Sequence, residues 1–214
     1  MEEQFWHDRW KTNQIAFHKA EANPLLVRNF PALGLAAGSR VFVPLCGKSL
    51  DLHWLLAQGY RVAGAELSRL AVEQLFAELG VEPRITEAGS LTRFEAEGIV
   101  VYQGSLFELT RERVGPADAV YDRAALVALP EPMRSRYVPH VMDLTAHARQ
   151  LLICFEYDKR CMDGPPFSVE EPEVRRRYEG VYDVRQLERG PGETLRGICP
   201  SVETVWVLEP RAGE

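Results

Sequence analysis

From residue 39 onward, short apolar runs of strand character alternate with apolar residues at helical spacing, the pattern of a parallel sheet covered on both faces by helices. The first strand is Val41-Phe42-Val43, followed by the turn Cys46-Gly47-Lys48-Ser49. Ser49 is placed to cap a helix that carries Leu52, Leu55 and Leu56 on one face and stops at Gly59. A second strand from Arg61 to Ala65 ends at Glu66. Ser68 then caps a helix that buries Val72, Leu75, Phe76 and Leu79 and stops at Gly80. Residues 83–98, with Ile85, Leu91 and Phe94, predict a short inserted hairpin before a third parallel strand, Ile99 to Tyr102. The fourth strand, Ala117 to Tyr121, ends at Asp122-Arg123. A helix with Tyr137, Val141, Leu144 and Ala148 on one face follows, in which Pro139 predicts a kink or a late start. The fifth strand is Leu151 to Phe155. Beyond it come a short helix over 171–178 and two strands near 181–187 and 202–208, joined only by a loop and so expected to pair antiparallel.

The residues ahead of the first strand are too apolar for a tail, with Phe5, Trp6, Trp10, Phe17 and Phe30 among them. They are expected to fold over the crevice at the carboxyl ends of the strands, where an α/β sheet leaves room. The organisation that follows is one domain over 1–214, with a lid segment at 1–38 and an α/β core at 39–214.

The chain has 214 residues, 46% of them hydrophobic, a size and mix that suit one globular domain. Lys and Arg total 25 against 31 Asp and Glu, a net charge of −6, which argues against nucleic acid or an anionic membrane as partner. Its start has no basic region leading into an apolar stretch, and no apolar run reaches bilayer length, so a cytoplasmic, monomeric chain is expected. Cys46, Cys154, Cys161 and Cys199 include no C-x-x-C pair, and no metal site is expected.

Ligands of such a sheet bind past the strand ends, which singles out four places. The turn Pro44-Leu45-Cys46-Gly47-Lys48 offers one glycine but neither G-x-G-x-x-G nor G-x-x-x-x-G-K-[ST], so it is either an ordinary turn or a cofactor approach without a phosphate cradle. Glu66 ends the second strand where a carboxylate can accept two ribose hydroxyls, or it is simply an acid favoured at a helix start. An acid there without phosphate-cradling glycines suits S-adenosylmethionine better than NAD. Ser105-Leu106 follow the third strand, where an adenine would lie. Arg123 follows the fourth, free to hold a carboxylate or to pair with Asp122.

Together, VFVPLCGK (Val41 to Lys48), VAGAELS (Val62 to Ser68), YDRAALVA (Tyr121 to Ala128) and Gly164-Pro165-Pro166-Phe167, with Phe5-Trp6, Trp10 and Ala16-Phe17-His18 before them, resemble the bacterial thiopurine S-methyltransferase family. The resemblance implies a Rossmann-like class I methyltransferase fold: a mostly parallel seven-stranded sheet, an antiparallel C-terminal strand and an N-terminal helical lid. It implies S-adenosyl-L-methionine as cofactor, held by Trp10, Leu45, Glu66, Ser105, Leu106 and Arg123. It also implies an acceptor facing Phe17, a thiopurine or another aromatic thiol, with selenium and tellurium compounds as further acceptors. Arg123 is the sole candidate for a catalytic role. Gly192 stands where animal relatives carry a second arginine near the acceptor, and Arg196 lies close by. A non-catalytic S-adenosylmethionine-binding protein, a methyltransferase for another small thiol or a halide, and a nucleotide-dependent oxidoreductase are the competing readings. Of the five histidines, His18 beside Phe17 is the one worth testing.

Overall fold

Caps and turn glycines decide where the elements begin and end. The structure, a computed structural model, describes residues 3–211. It opens with α1 (Glu3–Lys11) and α2 (Pro24–Asn29), then β1 (Arg40–Pro44), α3 (Leu50–Ala57), β2 (Arg61–Glu66) and α4 (Arg69–Leu79). The hairpin β3 (Arg84–Ala88) and β4 (Leu91–Ala96) precedes β5 (Ile99–Gln103), α5 (Arg111–Val114) and β6 (Ala119–Arg123). Last come α6 (Glu131–Leu144), β7 (Arg149–Glu156), α7 (Glu171–Tyr178), β8 (Tyr182–Leu195) and β9 (Cys199–Pro210). Ser49 and Ser68 cap α3 and α4 through their hydroxyls, and Gly80 ends α4 in the left-handed region, as the spacing predicts. The helix expected around Tyr137 starts at Glu131, helped by Pro132 in its first turn. Pro139 therefore lies inside α6 instead of delaying it, and Ala148 falls past its end.

The sheet runs β3-β4-β5-β2-β1-β6-β7-β9-β8. Its centre, β5, β2, β1, β6 and β7, is parallel, and all other pairs are antiparallel. This is the expected Rossmann-like class I architecture, with the nine strands that the residue pattern counts where the resemblance implies seven. The inserted hairpin continues the sheet by pairing β4 with β5, which satisfies the ladder groups that an isolated hairpin would leave open. At the other edge the two strands expected to pair antiparallel do so, with β9 between β7 and β8.

One face of the sheet packs Phe42, Val120, Leu152 and Trp206 against Tyr137, Val141 and Tyr178 of α6 and α7. The opposite face packs Val41, Val43 and Val205 against Leu52, Val72 and Phe76, and also against Leu25, Leu26, Phe30 and Leu33. Phe30 meets Trp54 and Tyr60 edge to face at 5.7 and 5.1 Å. Residues 24–33 therefore belong to the core. Each large apolar side chain buried there contributes about 1.5–3 kcal/mol. The stretch that covers the crevice without joining the core is residues 3–19; Met1 and Glu2 lie outside the described residues.

Candidate functional site

At the carboxyl ends of the parallel strands lies a cavity of about 300 Å³. Trp10, Phe17, Leu45, Glu66, Ser105, Leu106 and Arg123 all line it, so the structure gathers every residue named above for cofactor or acceptor. Gly192 does not: a Cβ there would stand 2.5 Å from the Ser201 hydroxyl and 3.1 Å from Glu203 Cγ. Glu193, Leu195 and Arg196 reach the cavity instead. Arg196 donates to the carbonyls of Gly164 and Pro165 at 2.8 and 2.9 Å, holding the Gly-Pro-Pro loop at the rim.

The turn after β1 is strained and held. Leu45 has φ 47°, a conformation unfavourable for a bulky residue, and Gly47 has φ 54°. Cys46 N–H donates to Ala65 O at 3.0 Å, and Gly47 N–H donates to Glu66 Oε2 at 2.8 Å. Glu66 Oε1 accepts from Ser68 N–H at 2.7 Å. The carboxylate is 6% exposed, so burial pushes its pKa up while these backbone donors pull it down. It thus clamps the turn to the start of α4, and its remaining lone pairs are free to accept hydroxyls. Gly47 also admits α1: a Cβ there would come within 3.1 Å of the Trp10 ring.

Arg123 does not pair with Asp122. Successive side chains of a strand point to opposite faces, so Tyr121 and Arg123 share one face of β6 and Asp122 takes the other. Arg123 Nη1 lies 3.6 Å from Asp51 Oδ2, with the two side chains 10% and 2% exposed. Asp51 also accepts from Asn23 N–H at 2.7 Å and from the Tyr121 hydroxyl at 2.9 Å. Burial, reinforced by Asp51, pushes the Tyr121 phenol far above its usual range. On the other face Asp122 accepts from the Tyr137 hydroxyl at 2.7 Å and from Leu126 N–H at 3.1 Å, and burial pushes it up to about 6.

Asp51 and Tyr121 both line the cavity, and sequence reasoning missed them. The available signal was the two-residue spacing of Tyr121 and Arg123. Asp51 reads as an ordinary first-turn acid of a helix.

Past β5 the wall turns apolar. The Leu106 carbonyl bonds His140 Nε2 at 2.8 Å, and the Phe107 ring lies between His140 at 5.6 Å and the Arg136 guanidinium at 4.5 Å. Over the cavity, Phe17 meets Trp10 and Trp6 edge to face at 5.6 and 6.0 Å. Lys19 ties this segment to β8 through Glu193 at 2.6 Å. His18 lines the cavity beside Phe17. Burial and the nearby Lys48 and Arg123 lower its pKa against the opposing pull of Glu78 and Asp51. Among the described residues no helix is long and apolar enough to cross a membrane.

The family described as Thiopurine S-methyltransferase (TPMT) matches residues 1–197 of the chain. The chain is 56% identical over 211 residues to the thiopurine S-methyltransferase of Xanthobacter autotrophicus, covering 98% of this chain and 99% of that relative. It is 47% identical to that of Pseudomonas aeruginosa, over 98% and 99% of the two chains. Among solved structures it is similar to the 1,6-didemethyltoxoflavin-N1-methyltransferase of Burkholderia thailandensis with bound S-adenosylhomocysteine: TM-score 0.66, 15% identity, 97% and 87% covered. It is also similar to a TehB-like SAM-dependent methyltransferase from Corynebacterium glutamicum: TM-score 0.58, 12% identity, 98% of both chains. At those identities the likeness is one of fold.

Proposed function

Since the chain belongs to the thiopurine S-methyltransferase family of S-adenosylmethionine-dependent methyltransferases, we propose that it methylates the sulfur of aromatic and heterocyclic thiols, thiopurines among them, and also takes selenium and tellurium acceptors. One observation carries this reading: a single cavity joins a buried strand-end acid, an apolar slot and a buried guanidinium beneath an aromatic lid. The donor set suits the cofactor. Glu66 keeps lone pairs for the ribose hydroxyls, Ser105 and Leu106 border the adenine slot, and Leu45 and Trp10 wall the centre.

The cofactor supplies an activated methyl group on a sulfonium. Everything else falls to the chain. Trp10 and Phe17 screen the sulfonium and stack on an aromatic acceptor. The Arg123 guanidinium favours an anionic sulfur, and the lid excludes water while the partners are aligned for in-line displacement.

The test is transfer of labelled methyl from S-adenosylmethionine to a heterocyclic thiol, an alkyl thiol, selenite, tellurite and a halide. The reading expects turnover of the heterocyclic thiol. It fails if calorimetry detects cofactor binding while no sulfur, selenium or tellurium acceptor gains label.

A further inference from the structure

Most proton-handling groups in the cavity wall are already committed. Glu66 holds two backbone N–H groups, and Asp51 holds Asn23, Tyr121 and Arg123. Glu193 pairs with Lys19, and Lys48 pairs with Glu78 at 2.7 Å. Burial raises Tyr121, Tyr137 and Cys46 well above their usual ranges, so none of them exchanges a proton near neutrality. Glu3 stands exposed in the first turn of α1.

His18 is the exception. It lines the cavity; its Nδ1 is sealed off with no hydrogen-bond partner, which leaves Nε2, unpartnered and accessible, as the ring nitrogen able to meet a ligand. His53 Nε2 and Arg9 Nε are buried and unpartnered too, but His53 does not line the cavity and Arg9, which does, is a cation with no lone pair to offer. An accessible ring nitrogen in a cavity wall, with no partner in the protein, can find one in a ligand.

We propose that His18 is a catalytic residue, the base that accepts the proton of an acceptor bound as the neutral thiol or as the ring N–H thione tautomer. This rests on the methyl-transfer reading. A sulfur lone pair of the acceptor forms the new S–CH₃ bond while the methyl's old bond breaks with its electron pair left on the departing thioether. The acceptor proton passes to the imidazole, which afterwards loses it to water.

The electrostatics agree. The charged groups facing His18 are Lys48, Arg123, Glu78 and Asp51, and burial with the two cations keeps the ring neutral, its lone pair available. The same cations favour the sulfur anion that proton loss creates. The base also travels with the lid: His18 N–H donates to Ile15 O at 2.7 Å, closing a turn within residues 3–19. The acceptor then ionises only once it is covered.

The test compares His18→Asn and His18→Gln with the unaltered enzyme on two acceptors, an alkyl thiol ionised only above neutrality and a nitro-substituted aryl thiol already ionised at neutral pH. A base should cost the variants about 10²-fold on the alkyl thiol and under about 3-fold on the aryl thiol, in line with general-base contributions. The wild-type rate on the alkyl thiol should fall with acid as His18 protonates. A readout independent of turnover is the imidazole C2 proton resonance, assigned by its loss in either variant: its midpoint should lie below 6.5 and shift when acceptor thiol alone is added. Equal losses on both thiols, or a His18 titration indifferent to acceptor, overturns the base and leaves methyl transfer standing. A wild-type enzyme inert toward both thiols overturns the base, and one inert toward the heterocyclic thiol and every selenium and tellurium acceptor as well overturns the methyl-transfer reading with it.

Discussion

Glu66 shows how one side chain serves fold and site together. Its two oxygens take the N–H groups of Gly47 and Ser68, so the carboxylate that faces the cavity also fixes the strained turn bearing Leu45. Glu66→Gln keeps the volume but has one acceptor oxygen, and its NH₂ must then face one of the two backbone donors. Leaving such a buried donor unpaired costs about 1–3 kcal/mol. The variant should therefore lose about that much stability in denaturant unfolding, and calorimetry should show S-adenosylmethionine bound at least tenfold more weakly, about 1.4 kcal/mol. Full stability with full cofactor affinity would sink the clamp. At this scale the strand ends made Glu66 and Arg123 legible, because position alone aims them at the crevice. Asp51 was hidden because its meaning comes from Asn23 and Tyr121, which lie far from it in sequence.

At the scale of elements, the aromatic N-terminal stretch divides between two roles that composition does not separate. Leu26, Phe30 and Leu33 are sealed into the core, whereas residues 3–19 meet the rest of the chain across the cavity, against α4 and through Lys19–Glu193. That ion pair is partly exposed and worth about 0–1 kcal/mol, a weak latch. Hydrogen exchange should follow the division. Residues 24–33 should be protected with or without ligand, and residues 3–19 should gain protection only with S-adenosylmethionine and acceptor bound. Lys19→Ala should speed exchange in 3–19 alone. Exchange of both stretches as one unit would return the whole segment to a single lid. Helices α3 and α4 were readable because their caps, stop glycines and apolar spacing agree. The start of α6 was not, because Pro139 is a louder signal than the first-turn Pro132 that begins it.

Across the whole molecule, alternation of strand and helix predicts the parallel centre and therefore the crevice. The edges were harder to read, because a hairpin's own residues do not say whether it joins a sheet. The sheet also buries charge at its centre, which gives the fold a pH signature. Asp122 sits between the sheet and α6, and burial raises it from an ordinary 3.8 to about 6, even though the Tyr137 hydroxyl and the Leu126 N–H favour its ionised form. A carboxyl raised on folding contributes stability that is fully present below its unfolded pKa and is lost as pH climbs through the folded value. Between pH 4 and 6 the unfolded chain ionises Asp122 first, so the native state gives up about 2 kcal/mol across that window. Asp122→Asn has nearly the same shape and does not titrate. Whatever its constant offset, its stability relative to wild type should therefore rise by about 2 kcal/mol from pH 4 to pH 7. Carboxylates of the opposite sign, such as Glu95, held at about 2 by Arg93 and Arg84, are common to both proteins and cancel in the difference. Denaturant unfolding of the pair at pH 4, 5, 6 and 7 and constant ionic strength measures that difference directly. A constant gap over the four values would mean that Asp122 keeps its unfolded pKa in the native sheet, its two hydrogen bonds fully offsetting its burial.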